Sequence, residues 1–279
     1  MAIENIPEIY LKDKKESPDL FVYDFKMSND VVKSKVNLSM NMFSFLQIGK
    51  KEVHFAGTSV AVNKDQSLLL KKGNWLWTEL LDTNITYNCK LLFFSEKILK
   101  EFLDKHIKTK SVDKIAKQNP YFIIGNDSYI TTYLNSLSNI SNAPPIFMEN
   151  LLSLKFEELM LYLVQKYGRK FEIYLYSLVD NESSTFKKII DSTVQSNLKL
   201  EEIAFLCNMS LSKFKRHFIS KYKLSPGKWF QEKRLLTAKE LLLNGSKPSS
   251  VYTDLGYTNL SNFSQAFKNK FGISPSEVK

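Results

Sequence analysis

The sequence has few of the residues that build metal centres and disulfide frameworks. Its 279 residues include two cysteines, Cys89 and Cys207, and three scattered histidines, His54, His106 and His217. No CxxC pair or Cys/His cluster suggests zinc, so we expect reduced thiols, no metal and no cofactor. A Ser/His/Asp-type constellation is missing too, and its absence argues against an enzyme.

Long apolar runs are also missing. No stretch reaches the roughly 18 consecutive apolar residues that a membrane-spanning helix needs. The N-terminal segment MAIENIPEIYLKDKKESPD contains no apolar stretch of the signal-peptide type. We therefore expect a soluble protein of the cytoplasm with no membrane association.

Arginine is scarce, and the positive charge is unevenly distributed. The chain has 36 lysines but three arginines, which are Arg169, Arg216 and Arg234. Residues 185–279 contain 16 Lys and Arg against 7 Asp and Glu, so +9 of the net charge of +10 lies there. A basic segment beside a neutral one favours a polyanionic partner. A solvated lysine-rich surface is the alternative.

Two similar segments, KFKRHFISKYKLSP and NFSQAFKNKFGISP, lie 49 residues apart. The aligned residues are Phe214, Phe218, Tyr222 and Pro226 in the first copy and Phe263, Phe267, Phe271 and Pro275 in the second. Aromatic residues four apart lie on one face of a helix. The Ser-Pro pair ends that helix and can begin another. The repeat therefore indicates one supersecondary unit built twice.

Each copy reads as a short helix, a tight turn and a second helix, the pattern of a helix-turn-helix. The aromatic face would hold the second helix to its own domain, and the opposite face would fit the DNA major groove. That outer face carries Ser212, Lys215 and Arg216 in the first copy and Leu260, Ser261, Ser264 and Gln265 in the second.

The side chains on these outer faces can form the hydrogen bonds and apolar contacts that recognise bases. Gln265 can bind adenine through two hydrogen bonds, Arg216 can bind guanine, and Leu260 can contact a thymine methyl. Lys221 and Lys270 lie near the helix ends, where phosphates are the expected targets. For Arg216, a plain surface charge is the alternative. Arg234 lies midway along the linking helix, where an intramolecular or phosphate contact is expected.

Residues 185–279 resemble the AraC/XylS transcription regulators. The resemblance rests on the doubled F-x3-F-x3-[YF]-x2-SP pattern, the linking text KRLLTAKELLLNG, and the signature-like segment DLGYTNLSNFSQAFKNKFGISPSE. It implies two helix-turn-helix units joined by a long helix. It also implies that the base-reading positions fall on the outer-face residues already named. The N-terminal region resembles the regulatory domains of that family more weakly, and these are cupin-like barrels followed by dimerising helices.

The sequence of the N-terminal region predicts β structure followed by helices. Short apolar or alternating segments separated by turn residues are VNLSMNMFSFLQIG, KEVHFAG, TSVAV, SLLLKKG and ITYNCKLLFFS. Many short strands without βαβ alternation favour an antiparallel sandwich or jelly roll. We predict an α+β protein with a regulatory and dimerisation domain at 1–180, β-rich over 1–95 and helical over 96–180. An all-α DNA-binding domain follows at 185–279.

Three further segments complete the organisation. EKILKEFLDKHI reads as a helix, KTKSVDKIAKQNP as a loop and VDNESS as the interdomain linker. A long helix from about Pro145 to Gly168 contributes Phe147, Leu151, Leu154, Leu159 and Tyr162 to a broad apolar face. That face either packs on its own domain or pairs two protomers.

The favoured function is a sequence-specific DNA-binding regulator, expected to be an activator, with double-stranded DNA and RNA polymerase as partners. We expect a homodimer controlled through its N-terminal domain by an unknown signal. Control by a protein partner, or action without a small-molecule effector, is the alternative. An enzyme that uses the barrel and a non-specific architectural DNA binder are the competing classes.

Overall fold

The computed structural model describes residues 3–11, 18–55, 58–82, 86–107, 119–140, 145–179, 186–194, 196 and 198–278. They group into two compact units, the first made of the described residues up to 179, with Thr58 as the exception, and the second of those from 186 onward. The predicted loop KTKSVDKIAKQNP and linker VDNESS lie almost wholly outside the described residues. Within the described part, every helix is too short or too polar to cross a bilayer.

The first unit contains ten described strands in two five-stranded sheets. They are β1 (Ile3–Ile6), β2 (Leu20–Met27), β3 (Val31–Leu38), β4 (Asn41–Ile48), β5 (Lys50–Phe55), β6 (Thr58–Val62), β7 (Gln66–Leu70), β8 (Gly73–Leu80), β9 (Tyr87–Phe94) and β10 (Tyr121–Gly125). The strand orders are β1-β3-β8-β5-β6 and β10-β7-β4-β9-β2. The pairing of β1 with β3 is parallel, and the other ladders with a described register are antiparallel.

The α+β class and the sandwich are confirmed, but the described strands do not form a closed barrel. The run VNLSMNMFSFLQIG spans two strands, because the chain turns at Ser39 and Met40 between β3 and β4. Gly73 and Asn74 are residue types typical of turns, but here they begin β8. Strands β1, β2, β8 and β10 were not predicted, and of these β2 and β10 lie at the two edges of the second sheet.

Strand β9 shows how the layers are arranged. Successive side chains of a strand point to opposite faces. Cys89, Leu91 and Phe93 pack in the core between the two sheets. Leu92 and Phe94 pack on the other face, in the core shared with the helices. The second sheet is therefore a middle layer covered on both faces, and its inner strands β4, β7 and β9 bury side chains on both faces rather than on alternate positions.

A buried ion pair lies in the first sheet. The Nζ of Lys51 is 2.8 Å from Oε1 of Glu79, and the two side chains are 1% and 7% exposed. The hydroxyl of Tyr87 donates to the same carboxylate oxygen at 2.8 Å. The Lys51 ammonium also lies 3.9 Å from the ring centroid of Trp77. These contacts satisfy charges that would otherwise be costly to bury.

The helices described in this unit cover the second sheet and are α1 (Glu96–His106), α2 (Ser128–Ile140), α3 (Pro145–Tyr167) and α4 (Arg169–Val179). The predicted helices over EKILKEFLDKHI and from Pro145 to Gly168 are confirmed, whereas α2 was not predicted. Leu159 is fully buried in the core under the helices, whereas Phe147 and Leu154 are 59% and 64% exposed. Helix α3 therefore has two apolar sides, one against its own unit and one open.

The second unit is helical. Its helices are α5 (Phe186–Thr193), α6 (Leu200–Leu206), α7 (Leu211–Tyr222), α8 (Pro226–Leu243), α9 (Pro248–Asp254) and α10 (Leu260–Phe271), followed by a 3-10 turn at Pro275–Glu277. Two small cores hold it together. Trp229 and Phe230 of α8 pack in the first core, and Leu235, Ala238 and Leu242 of the same helix pack in the second. One helix thus joins two similar halves.

Candidate nucleic-acid interface

The first half contains a two-helix unit whose turn has a defined geometry. Helix α6 ends at Leu206, and Asn208 adopts a left-handed conformation with φ 56°. The amide of Met209 then donates to the carbonyl of Ala204 at 3.0 Å. Ser210 caps α7 by accepting from the amide of Lys213 at 3.3 Å. This closure of a helix by a left-handed residue satisfies carbonyls that would otherwise lack partners.

The second half repeats this turn with one residue more. Gly256 takes the left-handed position with φ 73°, and the amide of Tyr257 donates to the carbonyl of Tyr252 at 3.0 Å. Asn259 caps α10 by accepting from the amide of Asn262 at 2.8 Å. Four residues separate α6 from α7, and five separate α9 from α10. The offset of 49 residues therefore relates α7 to α10, whereas the preceding helices are related by 48.

The predicted aromatic stripes are the inner faces of α7 and α10. Phe214, Phe218, Phe263 and Phe267 are all 0% exposed. Tyr222 and Phe271 close each stripe and are half-buried. The four-residue spacing of the aromatic residues therefore predicted the packing side of each helix correctly, and the opposite sides face outward.

On α7, the three residues predicted to read bases lie on the open side. Ser212, Lys215 and Arg216 are all exposed. Ile219, one turn beyond Arg216, is 47% exposed and continues this side as an apolar position. The side therefore combines a hydroxyl, two cations and an apolar side chain, which can meet base edges and a thymine methyl.

On α10, Ser261 and Gln265 are exposed, Leu260 is 41% exposed and Ser264 is half-buried. The Nε2 of Gln265 donates to Oδ1 of Asn269 at 2.9 Å. A glutamine amide has two hydrogens and one acceptor oxygen, so this bond leaves one donor and the acceptor for a base. The sequence reading missed Asn269, although its position four residues after Gln265 was the available signal.

The two lysines predicted to contact phosphate differ in their surroundings. The Nζ of Lys221 is 5.5 Å from the ring centroid of Phe186. The Nζ of Lys270 is 3.5 Å from Oε2 of Glu232 on α8. Lys270 therefore has a carboxylate neighbour that a phosphate would have to replace, whereas Lys221 has an aromatic neighbour. The sequence could not show this difference, because Glu232 lies 38 positions away.

Two family models match this chain. Residues 41–173 match the model described as the ExsA N-terminal regulatory domain. Residues 197–279 match the model described as a helix-turn-helix domain. The first match covers most of the sandwich and the helices α1 to α3, and the second covers the two helix pairs with α8.

Curated proteins with similar sequences are regulators. The virulence regulon transcriptional activator VirF of Yersinia enterocolitica is 31% identical over 135 residues, or 48% of this chain and 50% of VirF. The HTH-type transcriptional regulator ExsA of Pseudomonas aeruginosa is 30% identical over 131 residues, or 46% of this chain and 47% of ExsA. The chain thus spans about half the length of the curated relatives it matches.

A solved structure of apo ToxT from Vibrio cholerae aligns with 95% of this chain and 98% of its own, at 14% identity and a TM-score of 0.47.

Proposed function

We propose that this chain is a sequence-specific DNA-binding transcription activator of the AraC/XylS family. The observation that carries the proposal is the pair of matched helices α7 and α10. Each buries an aromatic stripe and exposes polar side chains on the opposite side, within a segment of net charge +9. We propose residues 185–279 as the DNA-binding domain and residues 1–180 as the regulatory and dimerisation domain.

In the proposed mechanism, one set of residues recognises bases and another set contacts phosphates. Helices α7 and α10 enter successive major grooves on one DNA face, about 34 Å apart. Ser212, Lys215 and Arg216 of α7, and Leu260, Ser261, Ser264 and Gln265 of α10, contact base edges. Lys221 and Lys270 contact phosphates, which set the register without carrying sequence information.

We expect Arg216→Ala and Gln265→Ala each to relax the base preference at one position of the binding site. Losing two hydrogen bonds to one base costs about 1–3 kcal/mol of discrimination. Lys221→Ala and Lys270→Ala should weaken all sequences alike and reduce the salt slope of binding by about one unit. The measurement is selection of duplexes from a random library with the wild-type protein, followed by titration of every single-base variant with each mutant.

The lysine variants serve as controls for the two reading variants, since each also removes an exposed polar side chain from α7 or α10. Uniform losses with Arg216→Ala and Gln265→Ala would show that neither residue reads bases. Equal affinity of the wild type for selected and random duplexes would favour an architectural DNA binder instead.

The open side of α3 supports a homodimer. Phe147, Leu151, Leu154 and Leu161 are 59%, 39%, 64% and 42% exposed. Their spacing of four, three and seven residues keeps them on one seam, as in paired helices. Large exposed apolar patches on a soluble unit mark interaction surfaces. We propose that α3 of a second copy covers this seam.

We expect the full chain to be a dimer and Leu154→Glu to shift it toward monomer. A carboxylate in the middle of the seam would be buried without a partner on pairing, which is costly. Analytical ultracentrifugation at a protein concentration of roughly tens of micromolar detects a dimer of micromolar affinity. Ser153→Glu is the matched control, because Ser153 is exposed on α3 but lies off the seam. A monomeric wild type would refute the proposal.

The N-terminal unit is the proposed site of control. We propose that a signal received there changes DNA binding or contact with RNA polymerase, and that the protein acts in the cytoplasm without enzymatic activity. The match of residues 41–173 to a domain described as regulatory supports this assignment. Control by a protein partner, or activity without a small-molecule effector, is the second candidate.

A further inference from the structure

A cavity of about 510 Å³ lies in the C-terminal unit, bordered by α5, α6, α7 and α8. Small-molecule sites in proteins are usually about 300–1,000 Å³ and mostly apolar, with a few polar groups that orient the ligand. Apolar side chains from three parts of the unit line this cavity, among them Leu198, Ile203 and Phe230. Its size and walls are therefore those of a site for a small organic molecule.

The charged groups of the lining are unbalanced. Lys199, Lys215 and Arg234 line the cavity, and Glu201 is the acidic residue among the described lining residues. Two of the three positive charges therefore have no opposite charge within this lining. A mostly apolar cavity with an excess of cations favours an anion attached to an apolar body.

Arg234 strengthens this preference. It is one of three arginines in the chain, and it lies midway along α8. It is half-buried and lines the cavity. Because a guanidinium keeps its charge at every physiological pH, Arg234 brings a permanent positive charge to this lining. Its planar fork matches a carboxylate better than a spherical anion.

We propose that this cavity binds a small organic acid, a carboxylate carried on an aromatic or aliphatic body, with Arg234 as its principal anchor. The apolar body occupies the space beside Leu198, Ile203 and Phe230. The carboxylate of the ligand binds the guanidinium of Arg234. Among the described lining residues, Glu201 is the one whose carboxylate could compete with the ligand for Arg234.

Lys215 couples this cavity to the DNA-reading side of α7, a step that rests on the proposed function. Lys215 lines the cavity and is also exposed beside Arg216 on the open side of α7. A bound carboxylate attracts the Lys215 ammonium and so withdraws it from DNA. Linkage requires the reverse effect to be equal, so DNA lowers the affinity for the acid by the same factor.

The test uses the full chain with hydrocinnamate as the probe and hydrocinnamamide as its uncharged counterpart. We expect calorimetry to detect hydrocinnamate but not the amide. Arg234→Gln should weaken hydrocinnamate by about tenfold or more, because a charge-assisted hydrogen bond is lost. Lys233→Gln is the matched control. It removes one positive charge from the neighbouring position of α8, and Lys233 lies over Trp229 and does not line the cavity.

DNA titrations complete the test. Hydrocinnamate should lower the DNA affinity of the wild type, and the loss should not exceed the loss caused by the Lys215→Ala substitution. Hydrocinnamate should leave the DNA affinity of the Lys215→Ala variant unchanged. Equal binding of the acid by the Arg234→Gln and Lys233→Gln variants, or equal binding of acid and amide, would overturn the site. Binding of the acid with unchanged DNA affinity would overturn the coupling. Calorimetry needs no DNA, so a failure of the proposed function would be recognised separately.

Discussion

Phe263→Ala is expected to lower the free energy of unfolding of the C-terminal unit by about 3–5 kcal/mol. Phe263 is 0% exposed, and its ring centroid lies 5.3 Å from that of Tyr257 and 5.7 Å from that of Phe267. Removing the ring leaves a cavity among residues of three helices, which cannot collapse onto it without moving α10. Phe214, which occupies the same place in α7, should behave alike. Chemical denaturation followed by circular dichroism measures the loss.

Ile273→Ala provides the comparison, because Ile273 lies just beyond α10 and is 40% exposed. Surface substitutions of this kind usually change stability by about 0.5 kcal/mol or less. If Phe263→Ala abolished DNA binding while the melting temperature stayed unchanged, the ring would face DNA and the inner and outer sides of α10 would be exchanged.

Glu79→Ala is expected to destabilise the N-terminal unit by about 3–5 kcal/mol, the range for breaking a buried ion pair by removing one partner. The substitution leaves the Lys51 ammonium buried at 1% exposure without its carboxylate. It also removes the acceptor of the Tyr87 hydroxyl. Among the contacts of Lys51 with described residues, the one with the Trp77 ring remains, and it does not replace a full charge.

Two variants isolate the cause of this loss. Lys51→Met combined with Glu79→Gln removes both charges and keeps an acceptor for Tyr87, so the double variant should be more stable than Glu79→Ala. Lys105→Ala removes one partner of an exposed pair with Glu157, where Lys105 is 64% exposed, and should cost about 0–1 kcal/mol. A Glu79→Ala loss as small as that of Lys105→Ala would show that the buried lysine finds another partner or water.

The C-terminal unit was largely predictable because its determinants are local. The four-residue spacing of Phe214, Phe218 and Tyr222 identifies the packing side of α7 within one helix. Ser210 and Asn259 stand where N-caps are expected, and Gly256 stands where a left-handed residue ends a helix. Each of these signals acts over a few residues, so neighbouring positions in the sequence are enough to read it.

The N-terminal unit was predicted less completely because its strands depend on distant partners. Strand β2 is stabilised by pairing with β9, whose residues lie about 60 to 75 positions later. Helix α2 carries buried Ile130, Tyr133, Leu134 and Leu137 at helical spacing. That signal was present in the sequence, but the Ser, Thr and Asn residues between them resemble a loop.

The sequence by itself determined the doubled helix-turn-helix, its packing sides, the basic character of residues 185–279 and the α+β class. These depend on spacing and composition, which are properties of the chain. Only the tertiary structure decided that α3 leaves an apolar seam open, that Lys51 and Glu79 are buried together, and that Lys270 meets Glu232. It also decided that Lys215 and Arg234 line one cavity. Each of these facts depends on which distant residues come into contact, and burial, charge pairing and cavity shape arise from those contacts.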